Sequence, residues 1–171
     1  MRHRSTVLWL VALLLAEALP LLPAAADNAR SLGKAGDWES FAYTEKAGKV
    51  CYTASQPKRS LGSVKGRGET YVTITHRTAD KSIGVISVTA GYSFKKDSPA
   101  EVDIGGARFD LYFSGDTAWT RNDKAVVSAM LKGKTLVVHG TPAKGDAVAD
   151  TYSLDGFAKA YADISKACGV N

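Results

Sequence analysis

Gly133-Lys134-Thr135, inside "MLKGKTLVVHGT" (130–141), is the first grouping in this chain with residue types suited to chemistry. A Gly-Lys-Thr beside an apolar run invites a phosphate-binding reading. A P-loop, however, carries a second glycine five residues ahead of the Gly-Lys-Thr glycine, and it runs strand, loop, helix. Ser128 stands at that position here. The pattern also predicts the reverse order, a helix before Gly133 and a strand over Thr135 to His139 after it. The stretch reads as a helix stop, with Gly133 at positive φ, and no nucleotide is expected.

His76 and His139 come next, each in a strand-like run. A metal site needs three or four ligands in defined geometry. Two histidines reach that number only by recruiting scattered carboxylates, so no metal and no cofactor is expected. No Gly-x-Ser-x-Gly elbow is present. Asp97, Glu101, Asp103, Asp110 and Asp116 are spaced like solvated charges on loops and outer strand faces. A hydrolase using His76 or His139 with a hydroxyl or carboxylate is the alternative reading, and it requires a strongly shifted histidine pKa in a cleft. The remaining cluster is basic: Lys58, Arg59, Lys65 and Arg67 in "QPKRSLGSVKGRGE". It reads as a mobile loop offering a patch to an anionic partner. It has no interleaved aromatics, which argues against single-stranded nucleic acid.

The N-terminus sets the compartment. Arg2, His3 and Arg4 precede an apolar run, Val7 to Leu22, broken only by Glu17 and Pro20, and "PAAA" follows. That is the layout of a secretory signal, residues 1–26, cut after Ala26. Glu17, Pro20 and the alanine-rich end argue against a retained membrane span. Removing Arg2, Arg4 and Glu17 lowers the net charge from +5 to +4, too weak and dispersed to imply nucleic acid. Cys51 and Cys168 are the two cysteines. In an exported chain such a pair forms a disulfide, with two independent buried thiols as the competing reading.

These groups need elements to hold them. Residues 27–36 read as a flexible lead-in, polar and aperiodic. Trp38 to Thr44 and Val50 to Ser55 flank a turn-rich "EKAGK" and predict a hairpin. Tyr71 to Arg77 and Ile83 to Ala90 read as strands. Gly105-Gly106 separates "EVDI" from "ARFDLYF" and suits a tight hairpin. Ala107, Phe109, Leu111 and Phe113 alternate with polar neighbours, the clearest strand signal in the chain. Asn122 or Asp123 caps a short helix through Leu131. Phe157, Ala160, Tyr161, Ile164 and Cys168 make the stripe of a last helix, stopped by Gly169. Together these predict a mainly β single domain over 37–171, a sandwich or partly open barrel with two covering helices.

"AVVSAMLKGKTLVVHGTPAKGDAVADTYSLDGFAKAYADISKAC", with "GDW" at 36–38 and the early Cys51, resembles the invasion-associated locus B family of Gram-negative bacteria. The resemblance implies an exported, compact, disulfide-bonded protein of the periplasm or cell surface, without established catalytic residues. It implies Trp38 as a core anchor and Cys51–Cys168 as the bridge. Tyr152, Leu154 and Phe157 would pack at the entry to the last helix, with Ser153 as a plausible N-cap. The functional expectation is a non-enzymatic binding module, monomeric, whose unknown partner lies in the envelope or on a host surface.

Overall fold

A computed structural model describes residues 29–170. The signal segment 1–26 and its cleavage point after Ala26 lie outside the described residues. The chain is mainly β, with eleven strands in one open antiparallel sheet, two helices and one disulfide. In chain order the strands are β1 (Arg30–Ala35), β2 (Trp38–Glu45), β3 (Gly48–Ser55), β4 (Arg59–Leu61), β5 (Tyr71–Arg77), β6 (Ser82–Thr89), β7 (Glu101–Ile104), β8 (Ala107–Ser114), β9 (Thr117–Thr120), β10 (Thr135–Gly140) and β11 (Val148–Ser153). The helices are α1 (Asp123–Met130) and α2 (Phe157–Cys168).

The strands lie in the order β1-β2-β3-β5-β6-β9-β8-β7-β10-β11-β4. β8 serves both halves: Ala107–Asp110 pair with β7, and Leu111–Ser114 pair with β9. The two predicted hairpins form. β2 and β3 pair from Glu39↔Ala54 to Glu45↔Gly48, and β7 and β8 turn at Gly105 and Gly106, with φ 62° and 91°. Two successive residues at positive φ give a turn whose twist matches that of the flanking strands.

Four local expectations need correction. Residues 30–35 are not a flexible lead-in but the edge strand β1, paired with β2. Backbone pairing along the free edge of β2 requires no apolar alternation, and a register shift between Ser31 and Gly33 hides what alternation there is. The segment holding the basic cluster is not a free loop, because β4 pairs with β11. Gly133 does not take a positive φ; α1 ends in right-handed geometry at Leu131. Gly133 is required by space instead, since a Cβ there would come within 2.7 Å of the Ile104 side chain. Ser153 is not the N-cap of α2. Its hydroxyl accepts the Asp155 N–H at 3.1 Å, one turn early, and Gly156 occupies the cap at φ 82°. Any side chain at Gly156 would collide with the Ala35 carbonyl.

The core lies against the inner face of the sheet. Val72, Ile74, Ile86 and Val88 come from its centre, and Val102, Leu136, Val138 and Tyr152 from the β7–β10–β11 half. α1 adds Val126 and Met130, and α2 adds Phe157, Ala160 and Ile164. Each fully buried Ile or Phe contributes about 1.5–3 kcal/mol. Asn122 Oδ1 caps α1 by accepting the Ala125 N–H at 3.2 Å. Asp123 Oδ1 fastens the same helix to the sheet, accepting the Ile86 N–H at 3.0 Å and the Thr120 hydroxyl at 2.8 Å. Trp38 is the anchor of α2: its ring sits 4.9 Å from that of Phe157, and Nε1–H donates to the Ser153 carbonyl at 3.0 Å.

Cys51 on β3 is bonded to Cys168 at the end of α2, 117 residues later, with Cα atoms 5.9 Å apart. In the chain-entropy model a loop of that size stabilises by about 4–5 kcal/mol. Replacing Cys51 or Cys168 by serine is therefore expected to lower the melting temperature by roughly 10–20 °C. It should also expose one thiol to a titrant in unfolded, unreduced protein. Wild type giving two free thiols in that assay contradicts the bridge.

Candidate binding face

The structure scatters the basic cluster. Arg67 turns inward. Its Nη1 and Nη2 donate to Asp150 Oδ1 and Oδ2 at 2.9 and 2.5 Å, its Nε donates to the Ala90 carbonyl at 2.9 Å, and its guanidinium lies 5.1 Å above the Tyr92 ring. Ser60 on β4 donates to the same carboxylate at 2.6 Å. Lys58 pairs with Asp37 at 2.5 Å, which holds the Asp37 carboxyl below its ordinary value. Arg59 and Lys65 alone remain exposed without an ion-pair partner among the described residues. Of the four, Arg67 and Lys58 are thus engaged within the protein, and Arg59 and Lys65 are the cations the cluster leaves to solvent. Composition gave no sign that one of four neighbouring cations would find a carboxylate 83 residues away.

His76 sits in the core. Its Nδ1 accepts the Gly84 N–H at 2.9 Å, and its Nε2 lies 3.0 Å from the Ser165 hydroxyl on α2. A serine beside a histidine suggests a nucleophile and its base, and Ser165 was not legible in the sequence as such a neighbour. The tautomer forbids that role. Nδ1 is the acceptor, so Nε2 carries the proton and donates it to Ser165. A base would need the opposite arrangement, with Nδ1–H held by a carboxylate. Burial lowers the His76 pKa from its ordinary value, and the residue has no exposed surface. His139 lies on β10 at the rim of a cleft of about 480 Å³ shared with Leu61, Pro99, Glu101 and Arg108. Glu101 there is bound to Arg108 at 2.8 Å. Among the described residues no three His, Cys, Asp or Glu side chains group as a metal site would require.

The outer face of the sheet gathers a different set. Period-two alternation points Trp38, Cys51, Val72 and Ile86 inward, and so points their neighbours outward. Phe41 and Tyr52 are cross-strand partners with rings stacked at 5.1 Å, and Tyr43 meets Tyr52 edge-on at 6.4 Å. At the other end Trp119 and Tyr112 are partners, stacked at 5.7 Å, with the Arg121 guanidinium 4.8 Å over Tyr112. Between the two ends run Thr73, Thr75, Val85, Ser87, Thr89 and Thr117. The Thr73 and Ser87 hydroxyls are 2.5 Å apart. A cleft of about 480 Å³ extends the face past Phe41 and Tyr71 to Asp37 and Lys58. Both helices pack on the opposite side, where their buried side chains join the core.

A family model described as Invasion associated locus B (IalB) protein matches residues 38–165. The chain belongs to the IalB family. Its fold is similar to the crystal structure of invasion associated protein b from Bartonella henselae, at 19% identity and a TM-score of 0.58, covering 81% of this chain and 96% of that one. No curated protein matches the chain. The IalB match begins at Trp38 and ends at Ser165, the residue that receives the His76 hydrogen bond. It thus spans every strand from β2 to β11 and with them the whole outer face. No helix among the described residues is long and apolar enough to cross a membrane.

Two expectations follow for this IalB domain. Arg67→Ala leaves Asp150 buried and unpaired, a loss of about 3–5 kcal/mol in denaturant unfolding. Lys65→Ala changes stability by less than about 0.5 kcal/mol. Equal effects of the two would deny Arg67 its interior role. The second concerns pH. The folded pKa of His76 is depressed, so the folded state takes up a proton less readily than the unfolded chain. Its contribution is whole above the ordinary value of 6.5 and is lost as pH falls below it. A second ring proton would also face the Gly84 N–H. The melting temperature should fall between about pH 7 and about pH 5, a window above carboxylate titration. His76→Gln should flatten that slope; a wild-type melting temperature that is level across the window refutes it.

Proposed function

We propose that the mature domain is a non-enzymatic binding protein, exported to the periplasm or cell surface of a Gram-negative bacterium and working as a monomer. Its partner lies in the envelope or on a host surface. The observation that carries this reading is the outer sheet face: aromatic side chains from five strands, and a strip of hydroxyls between them, stand where neither helix packs. Isolated aromatics on a surface are ordinary, whereas two stacked aromatic groups joined by a strip of hydroxyls offer a surface suited to recognition. The disulfide fits an extracytoplasmic protein. Family membership links the domain to proteins named for invasion.

The hydrolase alternative finds no support at His76, whose ring nitrogens are both committed to structural hydrogen bonds with the wrong polarity for a base. Binding through the face is tested by co-sedimentation of purified mature domain with isolated bacterial envelopes and with host-cell membranes. Wild type should pellet with one of them. Tyr112→Ser, at a residue 43% exposed, should stay in the supernatant while melting like wild type, and Lys65→Ala should still pellet. A Tyr112→Ser protein that pellets fully, or a turnover activity abolished by His139→Ala, would defeat the reading.

A further inference from the structure

We propose that the outer face binds an uncharged, hydroxyl-rich glycan chain laid across β3, β5, β6 and β9 between Tyr52 and Trp119. This deepens the binding reading above and rests on it.

The first support is the distribution of chemistry. A pyranose has an apolar C–H face and a rim of hydroxyls that both donate and accept. Flat aromatic rings match the first, and side-chain hydroxyls match the second. The outer face offers both in series. Phe41 stacks on Tyr52 at one end and Tyr112 on Trp119 at the other. Thr73, Thr75, Ser87, Thr89 and Thr117 fill the rows between, joined by register: Ala54↔Thr73↔Ser87↔Trp119. The Thr73 and Ser87 hydroxyls share one hydrogen bond and keep a further proton and lone pairs for a ligand. Tyr52 and Trp119 stand three strand steps apart, roughly 14 Å, the reach of a short oligosaccharide.

Charge decides the class of ligand. Between the aromatic ends, Thr73, Thr75, Val85, Ser87, Thr89 and Thr117 present no charged side chain. At the periphery Lys58 binds Asp37 and Arg77 binds Glu45 at 2.6 Å, while Lys34 and Arg121 are exposed without an ion-pair partner among the described residues. An anionic polymer or lipid headgroup laid along the strip would find no cation within it to offset its desolvation, only those two at its ends. A protein partner is also a poorer fit. Protein interfaces centre on a desolvated apolar anchor in a pocket, whereas the centre of this face is a row of hydroxyls with the rings at its ends.

Trp119 supplies a reporter. The other tryptophan of the mature chain, Trp38, is fully buried under α2, so a ligand on the outer face changes Trp119 emission and leaves Trp38 as an internal constant. The experiment titrates disulfide-bonded mature domain with cellohexaose, maltohexaose, mannohexaose and chitohexaose, with heparin as the anionic control. Fluorescence and calorimetry are read at low and high salt. At least one neutral hexasaccharide should bind, indifferent to salt. Trp119→Ala and Tyr112→Ala should each weaken it tenfold or more, with unchanged melting temperature for Tyr112→Ala, and Lys65→Ala should have no effect. Three results overturn the proposal: none of the four binds, heparin alone binds and is displaced by salt, or the glycan binds Tyr112→Ala as tightly as wild type. If none binds but Tyr112→Ser still abolishes envelope co-sedimentation, the glycan assignment fails and the binding reading stands. Loss of both effects removes both.

Discussion

The buried pair of Arg67 and Asp150 is the interaction on which the two halves of the sheet depend. Asp150 belongs to β11, and its side chain is 2% exposed. Arg67 reaches it from the connection between β4 and β5, while its Nε holds the carbonyl of Ala90 just past β6. One guanidinium therefore ties the β4–β11 edge of the open sheet to the end of its central strands. The planar fork of arginine satisfies both carboxylate oxygens at once, which a lysine cannot do. The cost of removing two charges from water is offset only because Ser60, Thr70 and the Tyr92 ring complete the shell.

The second half of the architecture is closed by α2, and several independent contacts converge on it. Trp38 stacks against Phe157 where the helix begins, the His76 ring bonds Ser165 in its last turns, and Cys51 is linked to Cys168 at its end. These contacts come from β2, β5 and β3, and Ser40 on β2 and Lys49 on β3 add hydrogen bonds to the Ala160 and Ala167 carbonyls, so the helix depends on the register of three strands. That covers the inner face and leaves the other face of the same strands to solvent. The outer face is thus a by-product of core formation: every inward residue on a strand obliges an outward neighbour, and six adjacent strands, β2-β3-β5-β6-β9-β8, set those neighbours side by side.

Physical chemistry separates the two clusters of apparent chemistry in this IalB domain. The side chains of Arg67, Asp150 and His76 spend their hydrogen bonds on partners inside the protein. The outer face keeps hydroxyls and rings whose bonding capacity is not exhausted inside the protein. Recognition belongs to the second kind of surface, because only groups with remaining capacity can exchange water for a ligand.

The sequence by itself determined the elements. A turn-rich linker marked the β2–β3 hairpin, strand-type composition marked β5 and β6, apolar alternation marked β8, Gly105-Gly106 marked its turn with β7, the 157–168 stripe marked α2, and an even pair of cysteines marked the bridge. These are local signals, or in the cysteines' case a choice with a single partner. Only the tertiary structure decided the rest. It made 30–35 a strand through an edge that β2 left open. It sent Arg67 inward while Arg59 stayed outside, and fixed the His76 tautomer through Gly84. It brought Phe41, Tyr52, Tyr112 and Trp119 onto one face. The physical reason is common to all four. Periodicity records which side of an element faces water, whereas strand order and pairing partners depend on contacts between residues tens of positions apart.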